Sequence, residues 1–349
     1  MTYTPINVQA MKVLYNGSPT GNSGSRFRGL EKLSDARLVF DTDPLYQTWW
    51  WLRALEWRTC NGPVTWRSNR RFLQAAVSFR PDVVWVEMGK LVYPSVLERI
   101  KHDTSCALIN TYSDDFLDPQ KRSRHYMKSL SIYDCIFTPR DVNFGELKSR
   151  GARRVLKFWK GFDPDLHFPE RISAEERQVY GTDVVFVGHA EPSRIQAFDS
   201  VARRVKSMKV WGNTWDKFRL PRKLAQVVQF RPAESIQYRK ALCGAKIAIQ
   251  MLSRKARDTQ SSRSFEIPAC GTLMVAERTE DHLASFKEDK EAVFFSSTDE
   301  LCDKIEFYLK HDSLREGIAL AGHERSHRSG YSNHLRIANM LNDALQGLK

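Results

Sequence analysis

The amino-acid sequence predicts an α/β protein of two Rossmann-like domains that face a cleft. Three observations lead to this prediction: short apolar strands alternate with helical patterns, the alternation stops at residues 160–181 and then restarts, and the chain has 349 residues. Alternating strands and helices form parallel sheets that are covered on both faces. Because domains most often have about 100–150 residues, the length suits two of them.

The predicted first domain covers residues 1–168. It begins with an apolar strand at 11–15, and a loop of small residues from Asn16 to Gly24 follows. A strand, a small-residue loop and a helical pattern from Ser25 are typical of the first unit of a Rossmann-like domain. Its further strands are predicted at 37–40, 82–87, 107–111, 135–138 and 155–159.

A linker is predicted at residues 169–181, where Pro169 and a charged run interrupt the alternation. The second domain, 182–332, begins with an apolar strand and a turn at Gly188. A last helix, 333–349, is expected to pack on the first domain. The strands of the second domain are predicted at 184–187, 209–211, 227–230, 247–251, 273–276 and 293–295, and Ser297 with Glu300 forms a capping box before a helix.

The composition excludes several classes of protein. With 27% charged residues and a mean hydropathy of -0.48, the chain is neither fibrous nor membrane-spanning, and its apolar stretches fall short of the roughly 20 residues that a spanning helix needs. The N-terminus lacks a basic region followed by an apolar one, which favours a cytoplasmic protein. The six cysteines form no CxxC pair and have no histidine at metal-ligand spacing, so we expect reduced thiols and no metal site.

The net charge of +13, from 54 basic and 41 acidic residues, favours polyanionic partners. Nucleotide phosphates, nucleic acid and anionic lipid all fit this charge. A nucleic-acid-binding protein is suggested by the mixture of aromatic and basic residues at 46–58, which includes Trp49, Trp50, Trp51 and Trp57. We interpret these tryptophans as core or protein-contact residues and expect no stable complex with nucleic acid. Peripheral contact with the inner, anionic face of a membrane is a further possibility.

Candidate binding residues lie in the loops after the strands, because open parallel sheets bind ligands at the carboxyl ends of their strands. In the second domain, Gly188 lets the backbone approach a ligand, and Arg194 falls near the start of the next helix. A phosphate group accepts hydrogen bonds from backbone N–H groups and from a guanidinium at such a place. The alternative for Arg194 is an ordinary surface arginine beside a turn.

The most informative segment runs from Asp258 to Glu280. A hydroxyl-rich loop leads to Arg263, and Glu266 then stands in an otherwise apolar run. A charged residue on a buried surface is costly unless it has a partner or a ligand. Glu266 is therefore either a ligand-binding residue or the structural ion-pair partner of Arg263.

The segment FEIPACG and the sequence after it resemble the C-terminal part of CgeB-like, spore-maturation-type glycosyltransferases of the GT-B fold. Four segments of the N-terminal half resemble the same family in the same order: WVEMGK, NTYSDD, YDCIFTPRDVNFGELKSRGARRV and KGFDPDLHFP. The resemblance extends from about residue 80 to the C-terminus. It implies transfer of a sugar from a nucleoside diphosphate sugar, with UDP as the favoured nucleotide, to a glycan, lipid-linked or protein acceptor.

The resemblance also implies roles for individual residues. Glu266 would bind the ribose hydroxyls, and Arg263 and Arg194 would face the diphosphate. The backbone at Gly188 and Gly212 would support the same group. No DxD-type metal motif occurs in the expected loop, so the transfer is expected to need no metal.

The stereochemical outcome is predicted from the acidic residue eight positions before Glu266, which is Asp258. Many retaining enzymes of the GT-B fold carry two acidic residues at this spacing, so retention is expected. Asp258 is shorter than the usual glutamate, and the residues TQSSRSF between the two are not glycine-rich. In the first domain, Asp114, Asp115 and His125 are candidates for acceptor contact or general base, with helix capping or solvent exposure as the alternative for the aspartates.

A nucleotide-sugar epimerase of the same fold is the remaining alternative. It would keep the nucleotide site and act on the donor without an acceptor. Such enzymes usually need further carboxylates and a histidine around the sugar. The sequence offers His189, His125 and Asp114 without a decisive spacing.

Overall fold

The structure, a computed structural model, describes residues 10–39, 50–116, 118 and 123–346. The chain divides into two compact units, Met1–Trp159 with Asn333–Lys349, and Lys160–Ser332. Each unit has its own parallel sheet with helices between the strands. The predicted α/β fold class with two Rossmann-like domains is therefore confirmed.

The first unit contains a six-stranded sheet, and every neighbouring pair of strands in it is parallel. The strands are β1 (Lys12–Asn16), β2 (Asp35–Val39), β3 (Val83–Glu87), β4 (Ala107–Thr111), β5 (Cys135–Thr138) and β6 (Val155–Lys157). Their order in the sheet is β2-β1-β3-β4-β5-β6. Phe40, the last residue of the second predicted strand, lies outside the described residues.

Within the described residues, six helices of the first unit lie between these strands: α1 (Gly21–Glu31), α2 (Trp50–Thr59), α3 (Pro63–Phe79), α4 (Pro94–Thr104), α5 (Arg124–Ser129) and α6 (Val142–Ser149). Successive residues of β1 point to opposite faces of the sheet. Leu14 packs with Phe72 of α3 and Leu97 of α4 in one core, whereas Val13 belongs to the core on the other face. The sheet is therefore covered on both sides.

One feature of α2 contradicts the core interpretation of its tryptophans. Trp50, Trp51 and Trp57 are 73%, 52% and 55% exposed, while Trp49 lies outside the described residues. The residue that turns inward is Glu56, whose carboxylate accepts hydrogen bonds from the backbone N–H groups of Val64 (3.1 Å) and Thr65 (2.7 Å). Glu56 thus satisfies free N–H groups at the start of α3, and the indoles are left on the outside.

The second unit contains a five-stranded parallel sheet. Its strands are β7 (Thr182–Val187), β8 (Met208–Trp211), β9 (Ala245–Gln250), β10 (Leu273–Glu277) and β11 (Val293–Phe295), in the order β11-β10-β9-β7-β8. The strand predicted at 227–230 is wrong. A helix ends at Val227, Val228 makes only an isolated bridge with Val210, and Phe230 has a left-handed φ of 51°, which an extended strand does not accommodate.

Eight helices accompany this sheet: α7 (Ala174–Tyr180), α8 (Pro192–Arg204), α9 (Arg222–Val227), α10 (Ile236–Cys243), α11 (Arg263–Ala269), α12 (Glu280–Ser285), α13 (Thr298–Lys310) and α14 (Asp312–Arg328). Helix α7 lies inside the segment predicted as a linker, and a capping box of Ser173 and Glu176 begins it. At the start of α13, the Ser297 side chain accepts a hydrogen bond from the Glu300 backbone. The six cysteines form no disulfide.

The last helix, α15 (Asn333–Gln346), belongs to the first unit. Its Asn333 side chain donates a 2.6 Å hydrogen bond to Ser25 of α1, and its Ile337 and Leu341 join Val13 in the core. No helix within the described residues is both long and apolar enough to cross a bilayer.

Candidate functional site

Two glycines bring the loops after β7 and β8 into close contact. The Gly188 N–H donates to the carbonyl oxygen of Trp211 at 2.8 Å, and the Trp215 indole donates to the carbonyl oxygen of Gly188 at 2.9 Å. Gly212 has a φ of +150°, and a Cβ there would lie 2.0 Å from the same Gly188 oxygen. Only glycine fits this crossing, so backbone rather than side chains forms this part of the carboxyl edge.

Arg263, the first residue of α11, reaches towards the ends of β7 and β9. Its Nε donates to Oε1 of Gln250 at 3.0 Å, and its Nη1 lies 3.4 Å from the position of a Cβ on Gly188. Gln250 is fully buried and is held in turn by its amide, which donates to the hydroxyl of Ser261 at 2.6 Å. A neutral amide therefore orients the guanidinium and leaves its positive charge uncompensated by that partner.

Glu266 lies one helical turn after Arg263 and is 8% exposed. Its Oε2 accepts a 2.8 Å hydrogen bond from the hydroxyl of Tyr238 on α10. Burial raises the pKa of Tyr238 well above its usual value, with the Glu266 carboxylate adding to the effect, so the phenol stays a donor. The structural alternative, an ion pair between Arg263 and Glu266, is not formed, because each turns to its own neutral partner.

Arg194 connects the loops after β7 and β9 by hydrogen bonds. Its guanidinium is nearly inaccessible and donates to the carbonyl oxygens of His189 at 2.8 Å and Met251 at 3.0 Å, and Glu191 lies 3.3 Å away. Burial, reinforced by the charge of Arg263, lowers the pKa of Arg194 to about 10, so the side chain remains a cation at neutral pH. These contacts make Arg194 a positioning residue, and its contact with a diphosphate stays a prediction.

Asp258 lies half-buried in the loop between β9 and α11, where its backbone N–H donates to Ser253 at 3.2 Å. Its negative charge acts on Arg194 together with the charges of Glu191 and Glu277. The structure thus gathers Gly188, Gly212, Arg194, Arg263 and Asp258 around the ends of β7, β8 and β9, with Glu266 further along α11.

Three residues at this edge were not predicted from the sequence. Gln250 and Tyr238 orient Arg263 and Glu266, and Arg254 carries an exposed guanidinium whose Nη2 lies 2.9 Å from Glu277. Arg254 had a sequence signal, since it begins a basic run four residues after the end of β9. Gln250 and Tyr238 had none, because an ordinary polar residue in a strand or helix does not show which side chain it faces.

The candidate residues of the first unit lie on two elements. Asp114 is half-buried and Asp115 buried in the loop after β4, where the side chain of Asn143 donates to the Asp114 carbonyl oxygen at 3.3 Å. His125 is in the first turn of α5, and its ring centroid lies 4.7 Å from that of Tyr93. Both elements follow the carboxyl end of β4, but the roles of these three residues stay predictions.

Comparisons with known proteins agree with this architecture. Residues 194–342 match a family described as Glycosyl transferase-like. A glycosyltransferase from Rickettsia africae ESF-5 has a similar structure, with a TM-score of 0.65 and 11% identity over 97% of this chain and 99% of that chain. The Anabaena protein Alr3699/HepE in complex with UDP-glucose has a TM-score of 0.64 and 12% identity over 97% of this chain and 100% of that chain.

A third similar structure is the sucrose-phosphate synthase of Thermosynechococcus elongatus, with a TM-score of 0.62 and 11% identity over 97% of this chain and 99% of that chain. No curated protein sequence matches the chain. At these identities the structures establish the fold alone. Residues 194–342 are thus similar in sequence to glycosyl transferase-like proteins, and the chain has the fold of GT-B glycosyltransferases.

Proposed function

We propose that the protein transfers a sugar from a nucleoside diphosphate sugar, with UDP as the nucleotide, to an acceptor hydroxyl. The observation that carries this proposal is the arrangement of α11, in which Arg263 and Glu266 each bind a neutral partner instead of each other. The glycosyl transferase-like sequence and the UDP-glucose complex of the Anabaena protein support the same activity. Membership of the CgeB-like subgroup remains part of the proposal.

The diphosphate would bind where the loops after β7 and β8 cross. Glycines at 188 and 212 leave this backbone without side chains, and Arg263 supplies a fixed positive charge beside Gly188. Negative charge grows on the diphosphate as the glycosidic bond breaks. A cation that is oriented before the reaction stabilises this charge without reorganisation, which is the catalytic role we propose for Arg263.

The ribose would bind at Glu266. A carboxylate has about four lone-pair positions on its two oxygens, and Tyr238 uses one of them. The remaining positions can accept hydrogen bonds from both hydroxyls of a ribose. Tyr238 would therefore hold Glu266 in place and leave it with enough acceptors for the ligand.

In the proposed reaction, the bond between the anomeric carbon and the diphosphate oxygen breaks as the acceptor oxygen bonds to the same carbon. The leaving diphosphate takes the acceptor proton on the same face, so the configuration is retained and no metal is needed. Asp258 would lie near the donor sugar. Arg194 would hold the loops after β7 and β9 in their relative position through its hydrogen bonds to His189 and Met251. Asp114, Asp115 and His125 would contact the acceptor.

Calorimetry with UDP tests the donor site. We expect wild-type protein to bind UDP, and Glu266→Gln to fold normally but to bind it more weakly, since the amide replaces an acceptor oxygen with a donor. Glu316→Gln is the matched control, because that side chain is 73% exposed on α14. A Glu266→Gln protein that is unstable but binds UDP normally would make Glu266 a structural partner of Tyr238 only.

Incubation with a donor sugar alone separates the proposal from the epimerase alternative. A transferase leaves the configuration at the other ring carbons unchanged, whereas an epimerase converts the donor without any acceptor. Detection of an epimer by NMR would replace the proposed reaction while keeping the nucleotide site.

A further inference from the structure

A group of large apolar side chains on α2 and α3 is exposed to solvent. We call it the tryptophan surface, and it consists of Trp50, Trp51, Leu55, Trp57 and Trp66, which are 73%, 52%, 52%, 55% and 56% exposed. Isolated exposed apolar residues are common, but several indoles on two adjoining helices are not. Such a surface indicates a binding partner with an apolar component.

The orientation of α2 is fixed from the inside. Among its described side chains Glu56 is buried and Leu52 is half-buried, and Cys60, directly after the helix, is buried as well. The Glu56 carboxylate binds the start of α3, and a Cβ on Gly62 would lie only 2.4 Å from it. A helix of a soluble domain normally turns its indoles inward and its carboxylate outward. Here the order is reversed, so the outward position of the tryptophans is built into the helix pair.

Among the described side chains of α2 and α3, the exposed charged residues are all arginines. Residues 50–80 contain six arginines, and their only acidic residue is the inward Glu56. Arg58, Arg67, Arg70 and Arg71 are exposed, and the guanidinium of Arg70 lies 5.7 Å from the ring of Trp66. A partner that combines negative charge with an apolar layer would fit both the arginines and the tryptophans.

The tryptophan surface is connected to the carboxyl edge of the first sheet. Helix α3 ends just before β3, so it runs opposite to that strand and its first turn lies at the carboxyl end. Lys90, which follows β3, places its Nζ 4.3 Å from the ring centroid of Trp57. The hydroxyl of Tyr93 donates to the side chain of Asn61, between α2 and α3, at 2.7 Å.

We propose that the tryptophan surface docks the protein on an anionic lipid bilayer. Indole rings favour the headgroup region of a membrane, and arginines beside them are attracted by anionic lipids. Single-stranded nucleic acid, by contrast, stacks its bases along a charged groove, whereas these indoles stand on the exposed side of a helix pair. Membrane binding itself does not depend on the proposed function. If the protein is a glycosyltransferase, membrane docking further selects the acceptor class, a lipid-linked molecule at the membrane surface, and this second inference rests on the proposed function.

Vesicle sedimentation with the full chain tests the docking. We expect binding to vesicles of phosphatidylcholine mixed with phosphatidylglycerol, little binding to phosphatidylcholine alone, and release at high salt. The double variant Trp50→Ala/Trp57→Ala should lower the partition coefficient at least about tenfold, because less apolar area enters the interface. The variant Arg58→Gln/Arg70→Gln should lower it about tenfold as well, and only for the anionic vesicles.

The matched control is Leu320→Ala/Arg203→Gln, which removes an exposed apolar residue and an exposed arginine from the second unit. It should bind vesicles like the wild type. Equal sedimentation of the control and the Trp50→Ala/Trp57→Ala protein would overturn the proposal. Failure of the wild type to bind the anionic vesicles would also overturn it. If the wild type then binds a labelled single-stranded oligonucleotide, the tryptophan surface is assigned to nucleic acid.

UDP binding separates this proposal from the proposed function. The tryptophan variants should bind UDP with wild-type affinity, since the proposed nucleotide site lies in the second unit. If neither the wild type nor the variants bind UDP, the proposed transferase activity is wrong. The vesicle experiment still tests membrane docking in that case.

Discussion

The hydroxyl of Tyr238 donates a 2.8 Å hydrogen bond to Oε2 of Glu266. This bond joins α10 to α11 between two buried side chains. The high pKa of Tyr238 keeps the proton on the phenol, and one carboxylate oxygen is thereby fixed in space. Glu266 is thus oriented before any ligand arrives.

The first prediction concerns this bond. Tyr238→Phe should lower the free energy of unfolding by about 1 kcal/mol, the usual net contribution of one hydrogen bond, and weaken UDP binding several-fold because Glu266 is no longer held. The double variant Tyr238→Phe/Glu266→Gln should lose less UDP-binding free energy than the sum of the losses in the two single variants. Calorimetry on the four proteins measures this, and additive losses would show that Tyr238 does not act through Glu266.

The second prediction concerns the charge at the glycine crossing. Arg263→Ala should weaken UDP binding roughly ten- to hundredfold, as expected for loss of a charge-assisted hydrogen bond of about 1.5–3 kcal/mol. Arg203→Ala, which removes an exposed arginine from α8, is the control and should bind normally. Unchanged affinity in a folded Arg263→Ala protein would reject the diphosphate role.

The third prediction compares two glycines of the second unit. Gly212→Ala places a Cβ 2.0 Å from the Gly188 oxygen at a left-handed φ, so the free energy of unfolding should fall by about 2 kcal/mol or more. Gly317, in the middle of α14, has no atom within 4 Å of an added Cβ. Gly317→Ala should therefore stabilise the protein by about 0.5–1 kcal/mol. Urea unfolding measures both, and equal effects would contradict the close crossing.

The fourth prediction is the stereochemical outcome of transfer. The anomeric proton of the product, observed by NMR, should show the same configuration as the donor. Addition of a chelator should leave the rate unchanged. Inversion would instead require a general base within hydrogen-bond reach of the acceptor, which would select among Asp114, Asp115 and His125.

Much of the fold was predictable because each buried strand is a short apolar run between helical patterns. The strands predicted at 107–111 and 135–138 coincide with β4 (Ala107–Thr111) and β5 (Cys135–Thr138). The strand predicted at 227–230 failed because a short apolar run fits a helix end as well as a strand. The core interpretation of Trp50 and Trp57 failed because the sequence does not reveal that Glu56 turns inward to bind the start of α3.

The candidate site was predictable only for residues of unusual chemistry. A charged residue in an apolar run pointed to Glu266, and a glycine after a strand pointed to Gly188. The residues that orient them were not predictable, because Tyr238 lies 28 positions before Glu266 in the sequence and contacts it only after both helices pack. Local patterns carry no information on such pairs.

The position of α15 in the first unit has a consequence for the order of assembly during synthesis. The core that contains Val13 of β1 also contains Ile337 and Leu341 of α15, so this core stays open until α15 has left the ribosome. The second unit, Lys160–Ser332, is continuous in sequence. Domains fold as units while the chain emerges. Because the second unit lies between the two parts of the first, it is able to complete its fold before the first unit does.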